Sequence, residues 1–115
     1  MGWNTESLLS SLRKNNVVSL KDESGAVIAA VIYHCVDQLT DEILFLATSP
    51  GRRKQGWMER LLREFAAAKG EAQIWLECRE DNLGAIQLYK KIGFKESGRR
   101  ERYYRDGTTA ILFNF

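Results

Sequence analysis

The chain has 115 residues, 44% hydrophobic and 28% charged, with a net charge of +2. This is the length and balance of one globular domain, residues 1–115, with a single core. Two cysteines, Cys35 and Cys78, exclude a disulfide scaffold, no close Cys or His pair has zinc-ligand spacing, and the longest apolar run, Ala26 to Tyr33, is too short for a bilayer. No metal and no membrane contact are expected. The amino terminus lacks a signal-peptide pattern, so the expected setting is cytoplasmic and reducing.

In chain order, Ser7 to Lys14 carries Leu8, Leu9 and Leu12 at helical spacing behind a capping Thr5, which predicts a short amphipathic helix ended by Asn15-Asn16. Val17 to Lys21 and Ala26 to Val36 flank the turn cluster Asp22-Glu23-Ser24-Gly25 and read as an antiparallel hairpin. The second of these strands is nearly all apolar and is expected to be buried on both faces. Asp37 to Asp41 reads as a turn and Glu42 to Thr48 as a third strand, stopped by Pro50-Gly51.

From Gly56 to Lys69, Met58, Leu61, Leu62, Phe65 and Ala66 recur every three or four residues, a helical stripe closed by Gly70. Gln73 to Cys78 alternates, with Ile74, Leu76 and Cys78 on one face and Gln73, Trp75 and Glu77 on the other. Asn82 caps a helix to Ile92, and Gly93 suits the left-handed residue that ends it. Phe94 begins a strand. Asp106-Gly107 then separates Arg102-Tyr103-Tyr104-Arg105 from Thr108 to Phe115, a strong hairpin signal. The order predicts an α/β domain with a mixed sheet, about three helices, antiparallel strands first and a parallel pair across the crossover helix.

Charge is unevenly spread. Residues 1–50 carry three basic and six acidic side chains, residues 51–115 fourteen and nine. The first basic cluster lies in Pro50-Gly51-Arg52-Arg53-Lys54-Gln55-Gly56-Trp57-Met58, a glycine-containing turn feeding a helix. There the positive end of the helix dipole and free backbone N–H groups favour an anion, unless the cluster is simply a solvated face. The turn has neither the lysine and hydroxyl of a P-loop nor the three glycines of a dinucleotide turn.

Several motifs in register go further. Arg53-Lys54-Gln55-Gly56-Trp57-Met58 follows Pro50. It is succeeded by Ile74-Trp75-Leu76-Glu77-Cys78-Arg79, Asn82, Leu88-Tyr89, Ile92-Gly93-Phe94 and Arg102-Tyr103-Tyr104. The sequence from Trp3 to Phe115 resembles the GNAT superfamily of acetyl-CoA-dependent N-acetyltransferases, within it the ribosomal-protein-alanine (RimI-like) branch. Met58 stands where the family prefers glycine or alanine, and the family's first strand lies outside the resemblance. An open sheet edge there would permit a homodimer.

The resemblance implies a GNAT-like central sheet with a V-shaped split between two parallel strands, into which the pantetheine arm of acetyl-CoA inserts, and a C-terminal β-hairpin. Leu46, Ala47 and Thr48 would pair with pantetheine through their main chain. Amides in the Arg53, Lys54, Gln55, Gly56, Trp57, Met58 segment would hold the pyrophosphate, and Asn82 would bond the cofactor from the opposite arm. Glu77 would be the general base, and Tyr89, also beside the cofactor, the general acid. The implied activity is direct acetyl transfer to a primary amine, with a protein amino terminus as favoured acceptor and a small amine as the other.

The residue types suit that chemistry, since an amine attacks a thioester only as its free base and the departing thiolate needs a proton. The plain alternatives are a surface Glu77 paired with Arg79 or Lys91 and a core Tyr89. His34 and Cys78 read as structural. A second reading of the whole chain is a non-catalytic descendant that binds CoA or a partner protein. No nucleic-acid partner is expected, because no RNA-binding aromatic signature accompanies the arginines.

Overall fold

The computed structural model describes residues 16–115; the helix expected over Ser7–Lys14 lies outside the described residues. β1 (Asn16–Lys21) and β2 (Val27–Asp37) form the expected antiparallel hairpin. Asp22 Oδ1 holds its turn by accepting from the Ser24 N–H at 2.8 Å, the Ser24 hydroxyl at 2.6 Å and the Ala26 N–H at 3.1 Å. β2 is not buried throughout. Ile28 to Ile32 are sealed, Tyr33 is half-buried under Phe65, and His34 to Asp37 are exposed. An apolar run records that a strand can be covered, whereas the covering helix decides how far.

β3 (Thr40–Thr48) begins earlier than its apolar residues announce. Asp41 is only 5% exposed there and is neutralised by Lys69 Nζ at 3.1 Å. A buried charge is tolerated when paired. After a 3-10 turn over Pro50–Arg52 come α1 (Trp57–Lys69), β4 (Gln73–Arg79), α2 (Leu83–Ile92), β5 (Lys95–Arg100) and β6 (Ala110–Asn114). The described residues thus hold two α-helices against the three expected over the whole chain. Asn82 caps α2 as expected, its Oδ1 accepting the Ala85 N–H at 3.2 Å. Gly93 closes it at φ 125°, where its N–H and that of Phe94 both reach the Tyr89 carbonyl.

The closing hairpin differs from expectation. Its arms are β5 and β6, and residues 101–109 form a long connection, with the Asp106-Gly107 turn near the far end. Arg102 to Arg105 is therefore not a strand.

The described residues form one mixed six-stranded sheet, in the order β1-β2-β3-β4-β6-β5. The buried stripe of α1, Leu61, Leu62, Phe65 and Ala66, joins Tyr89 and Ile92 of α2 and Ile74, Leu76, Cys78 and Phe113 of the sheet in one cluster. Both helices therefore cover the same face of β4, and Trp75, Glu77 and Arg79 point to the other, only half-covered one.

Candidate active site

The parallel pairing of β3 with β4 stops after three residue pairs, Thr40 with Gln73, Asp41 with Ile74 and Glu42 with Trp75, although both strands continue. The cause is on β3. Its register against β2 slips between Ile32, opposite Phe45, and Tyr33, opposite Ile43, which leaves Leu44 as an extra residue. Such a bulge sharpens the strand's twist. Beyond it β3 stays with β2 while β4 stays with β6, so the two strands diverge. Leu46, Ala47 and Thr48 keep partners Val31, Ala30 and Ala29 on one edge, and their other edge faces the gap.

Just beyond the mouth of this gap is the basic turn. Lys54 at φ 61° and Gly56 at φ 82° take left-handed backbone, and Gly56 is the N-cap of α1 with no side chain to satisfy the first-turn N–H groups. Two left-handed residues leading into an uncapped helix end present backbone donors suited to a phosphate anion. The side chains brace it. Arg52 reaches Asp22 in the β1–β2 turn at 3.3 Å, Gln55 donates to the Gly51 carbonyl at 3.4 Å, and the Trp57 indole donates to Gln55 Oε1 at 3.0 Å. The side chains of Trp57 and Met58 pack against the core cluster, so the bulk of Met58 is turned inward. Arg53 and Lys54 are exposed.

On the β4 arm, Glu77 is half-buried and faces neither Arg79 nor Lys91. Arg79 is committed to Asp81, Asp106 and Thr108, and Lys91 to Glu59 at 3.0 Å. The cation beside Glu77 is Arg100 of β5, Nε to Oε1 at 3.8 Å. The Tyr103 phenol is raised above its usual range, chiefly by the neighbouring Glu77 carboxylate. Tyr89 lies on the other side of the strand. It is 7% exposed, with its ring edge-on to Phe94 and Phe113 at 5.9 and 5.6 Å. Burial pushes its hydroxyl well above the usual tyrosine range, and the neighbouring Cys78 and Tyr104 add to the effect. Burial also raises the Cys78 thiol, which suits a small core side chain.

The Acetyltransferase (GNAT) family model matches residues 3–94. The chain belongs to the GNAT acetyltransferase family. Among sequence relatives, the N-alpha-acetyltransferase RimI of Mycobacterium tuberculosis is 38% identical over 56% of this chain and 40% of its own length. The ribosomal protein bS18-alanine N-acetyltransferase of Escherichia coli K12 is 31% identical over 89% of this chain and 70% of its own. The chain therefore spans two-fifths of the first relative and about seven-tenths of the second. The crystal structure of the Escherichia coli ribosomal-protein-S18-alanine N-acetyltransferase superposes with a TM-score of 0.83 over 98% of this chain and 76% of that one, at 28% identity. A GNAT acetyltransferase from Elizabethkingia anophelis with acetyl-CoA bound has the same fold, at a TM-score of 0.82 over 97% of this chain and 82% of that one, with 20% identity.

In this GNAT chain the split gathers the main chain of Leu46, Ala47 and Thr48 on one arm, Glu77 and Asn82 on the other, and the Arg53–Met58 turn beyond. Glu77 and Tyr89 face opposite sides of β4. Sequence reasoning missed the Glu77 surroundings, namely Arg100, Tyr103 and the Arg79 anchor. The pair Tyr103-Tyr104 stood out as a motif, but reading it as a strand hid the fact that it folds back over β4. No helix among the described residues is long and apolar enough to cross a membrane.

Proposed function

We propose that this chain is an acetyl-CoA-dependent N-acetyltransferase that transfers acetyl directly to a primary amine, with a protein N-terminal α-amine as acceptor. The observation that carries it is the early end of the β3–β4 ladder, which leaves a free strand edge leading to the uncapped start of α1. A pantetheine amide chain can pair along such an edge as a strand does. A pyrophosphate suits the donors from Lys54 to Met58. The acceptor class is drawn from the relatives, whose names specify N-alpha-acetylation and the alanine of a ribosomal protein.

In this reading the amine approaches from the Glu77 face. Glu77, directly or through a water, takes the ammonium proton. The freed nitrogen bonds to the thioester carbonyl carbon and gives up its second proton to solvent as the carbon–sulfur bond breaks, and the thiolate leaves toward the helix-covered face, where Tyr89 would supply a proton and recover one from solvent. A tyrosine hydroxyl carries its proton at neutral pH, as a donor must, and burial raises that of Tyr89 further. Holding amine and thioester together contributes most of the acceleration.

The sealing of Tyr89 in the aromatic cluster favours the second reading, a CoA-binding chain without turnover. Calorimetric titration with acetyl-CoA, followed by thiol release on a peptide with N-terminal alanine, decides between them. Saturable binding with turnover is expected. Binding without turnover on peptides or small amines selects the second reading, and no binding overturns both.

A further inference from the structure

The two arms of the split correspond row by row from the last pair of the ladder, Glu42 with Trp75. Two residues further along β4 is Glu77. Two rows further along β3, with Leu44 set aside as the residue its bulge adds, is Phe45. Phe45 and Glu77 are therefore level with each other on opposite sides of the opening, roughly 7 Å beyond its apex.

They also share a face. Phe45 pairs with Ile32, while the next pair, Leu46 with Val31, packs into the helix-covered core, so Phe45 points away from the helices as Glu77 does. Glu42 points the same way, because Asp41 before it turns to Lys69 of α1. The side from which an amine reaches Glu77 is thus bordered by Phe45 on β3 and by Glu42 and Trp75 at the apex.

Phe45 is 47% exposed, although its partner Ile32 is sealed. A lone exposed apolar side chain is ordinary on a protein surface. This one has company, since Leu44 is exposed beside it. Trp75, half-buried, commits its indole N–H to Gln73 Oε1 at 3.2 Å, which leaves its carbon surface for contact. The β4 arm is charged instead, with Glu77 and, 3.8 Å from it, Arg100. An apolar wall on one arm and a carboxylate on the other match the two parts of an amino-terminal residue, its side chain and its amine.

We infer that Phe45, together with Trp75, is a specificity-determining residue for the acceptor: its ring takes the side chain of the residue that carries the amine, and favours an aliphatic one larger than that of alanine. The inference rests on the proposed acceptor class and on approach from the Glu77 face. An acidic first residue is disfavoured, because its carboxylate would enter beside Glu42 and Glu77.

The test uses the whole chain, acetyl-CoA and hexapeptides that differ only in the first residue: leucine, alanine or aspartate. kcat/KM should be about tenfold higher for leucine than for alanine, since a half-open apolar contact gains less per methylene than a closed pocket, and lowest for aspartate. Phe45→Ala should bring the leucine-to-alanine ratio close to one, and Phe45→Leu should keep most of it. An equal or inverted ratio in the parent, a ratio that survives Phe45→Ala, or aspartate turned over as fast as leucine overturns the inference and leaves the transferase reading standing.

Calorimetric binding of the same peptides in the presence of CoA is a readout without turnover. The leucine peptide should bind about tenfold more tightly than the alanine peptide, and Phe45→Ala should remove that difference. If the difference is seen and no peptide is turned over, the transferase reading fails and the inference stands. Where no peptide is turned over, equal or undetectable binding overturns the inference.

Discussion

Arg79 Nη2 lies 2.6 Å from Asp106 Oδ2 across 27 residues of chain. The same guanidinium reaches both Asp81 oxygens at 3.2 Å and the Thr108 hydroxyl at 2.9 Å. One side chain at the end of β4 therefore joins the approach to α2 with the connection that carries Tyr103. A planar fork with five donors can do this, and a lysine cannot.

That contact predicts a pH dependence. The Asp106 carboxyl is held far below its ordinary 3.8 by Arg79 first and then by Thr108. A carboxylate with a depressed folded pKa contributes stability above its unfolded pKa and loses it as pH falls toward the folded one. The urea midpoint of the parent should drop between roughly pH 5 and 3, and that of Asp106→Asn should drop less over the same window. Parallel curves would show that the contact adds no stability.

Gly56 tests the anion nest. A methyl group added at its Cα would meet nothing within 4 Å, so the demand for glycine comes from its φ of 82° alone. Gly56→Ala should cost about 1–2 kcal/mol in thermal or urea denaturation and weaken acetyl-CoA in calorimetry. Gly51→Ala, equally open and without the positive φ, serves as the neutral comparison.

Asn82 has two separable uses. Its Oδ1 caps α2, which leaves the amide nitrogen as the donor that a ligand could use. Asn82→Ala should lose about 1 kcal/mol of stability and weaken acetyl-CoA binding. Asn82→Asp preserves the cap, so stability should hold while affinity falls. Equal affinity in parent and Asn82→Asp would remove Asn82 from the cofactor site.

For the chemical step, Glu77→Gln should reduce kcat by about 10²- to 10⁴-fold with binding of acetyl-CoA intact. Tyr89→Phe fits the aromatic cluster and should leave the melting temperature nearly unchanged. Steady-state rates on the N-terminal alanine peptide then report the hydroxyl alone, and an unaltered kcat would assign Tyr89 to packing.

The Lys69–Asp41 pair shows where stability is concentrated away from the site. Lys69 also lies over the Tyr33 ring at 4.3 Å, and removing it strands a buried carboxylate. Lys69→Met should cost about 3 kcal/mol in denaturant unfolding, and adding Asp41→Asn should restore part of that loss.

Much of this was legible one residue at a time. The α1 stripe, the alternation of β4, the Asn82 cap and the Gly93 closure are written in separations of two to four residues, which local geometry decodes. The basic turn suggested an anion site through Gly56 and the helix behind it, the reading on which the proposed function draws. The same local logic erred where partners were distant. It put Arg102 to Arg105 in a strand, covered all of β2, and offered Glu77 the wrong cations.

Composition and periodicity were enough for a mixed α/β fold, and motifs in register were enough for the family resemblance that singled out Glu77 and the basic turn. Tertiary structure alone decided that β3 leaves β4 at Glu42, because the Leu44 bulge is defined only against β2. It also decided that Arg100 and Tyr103 surround Glu77 and that Tyr89 is sealed between Phe94 and Phe113. Burial depth and charge partners depend on which elements stack, and stacking is set by contacts between residues far apart in the chain.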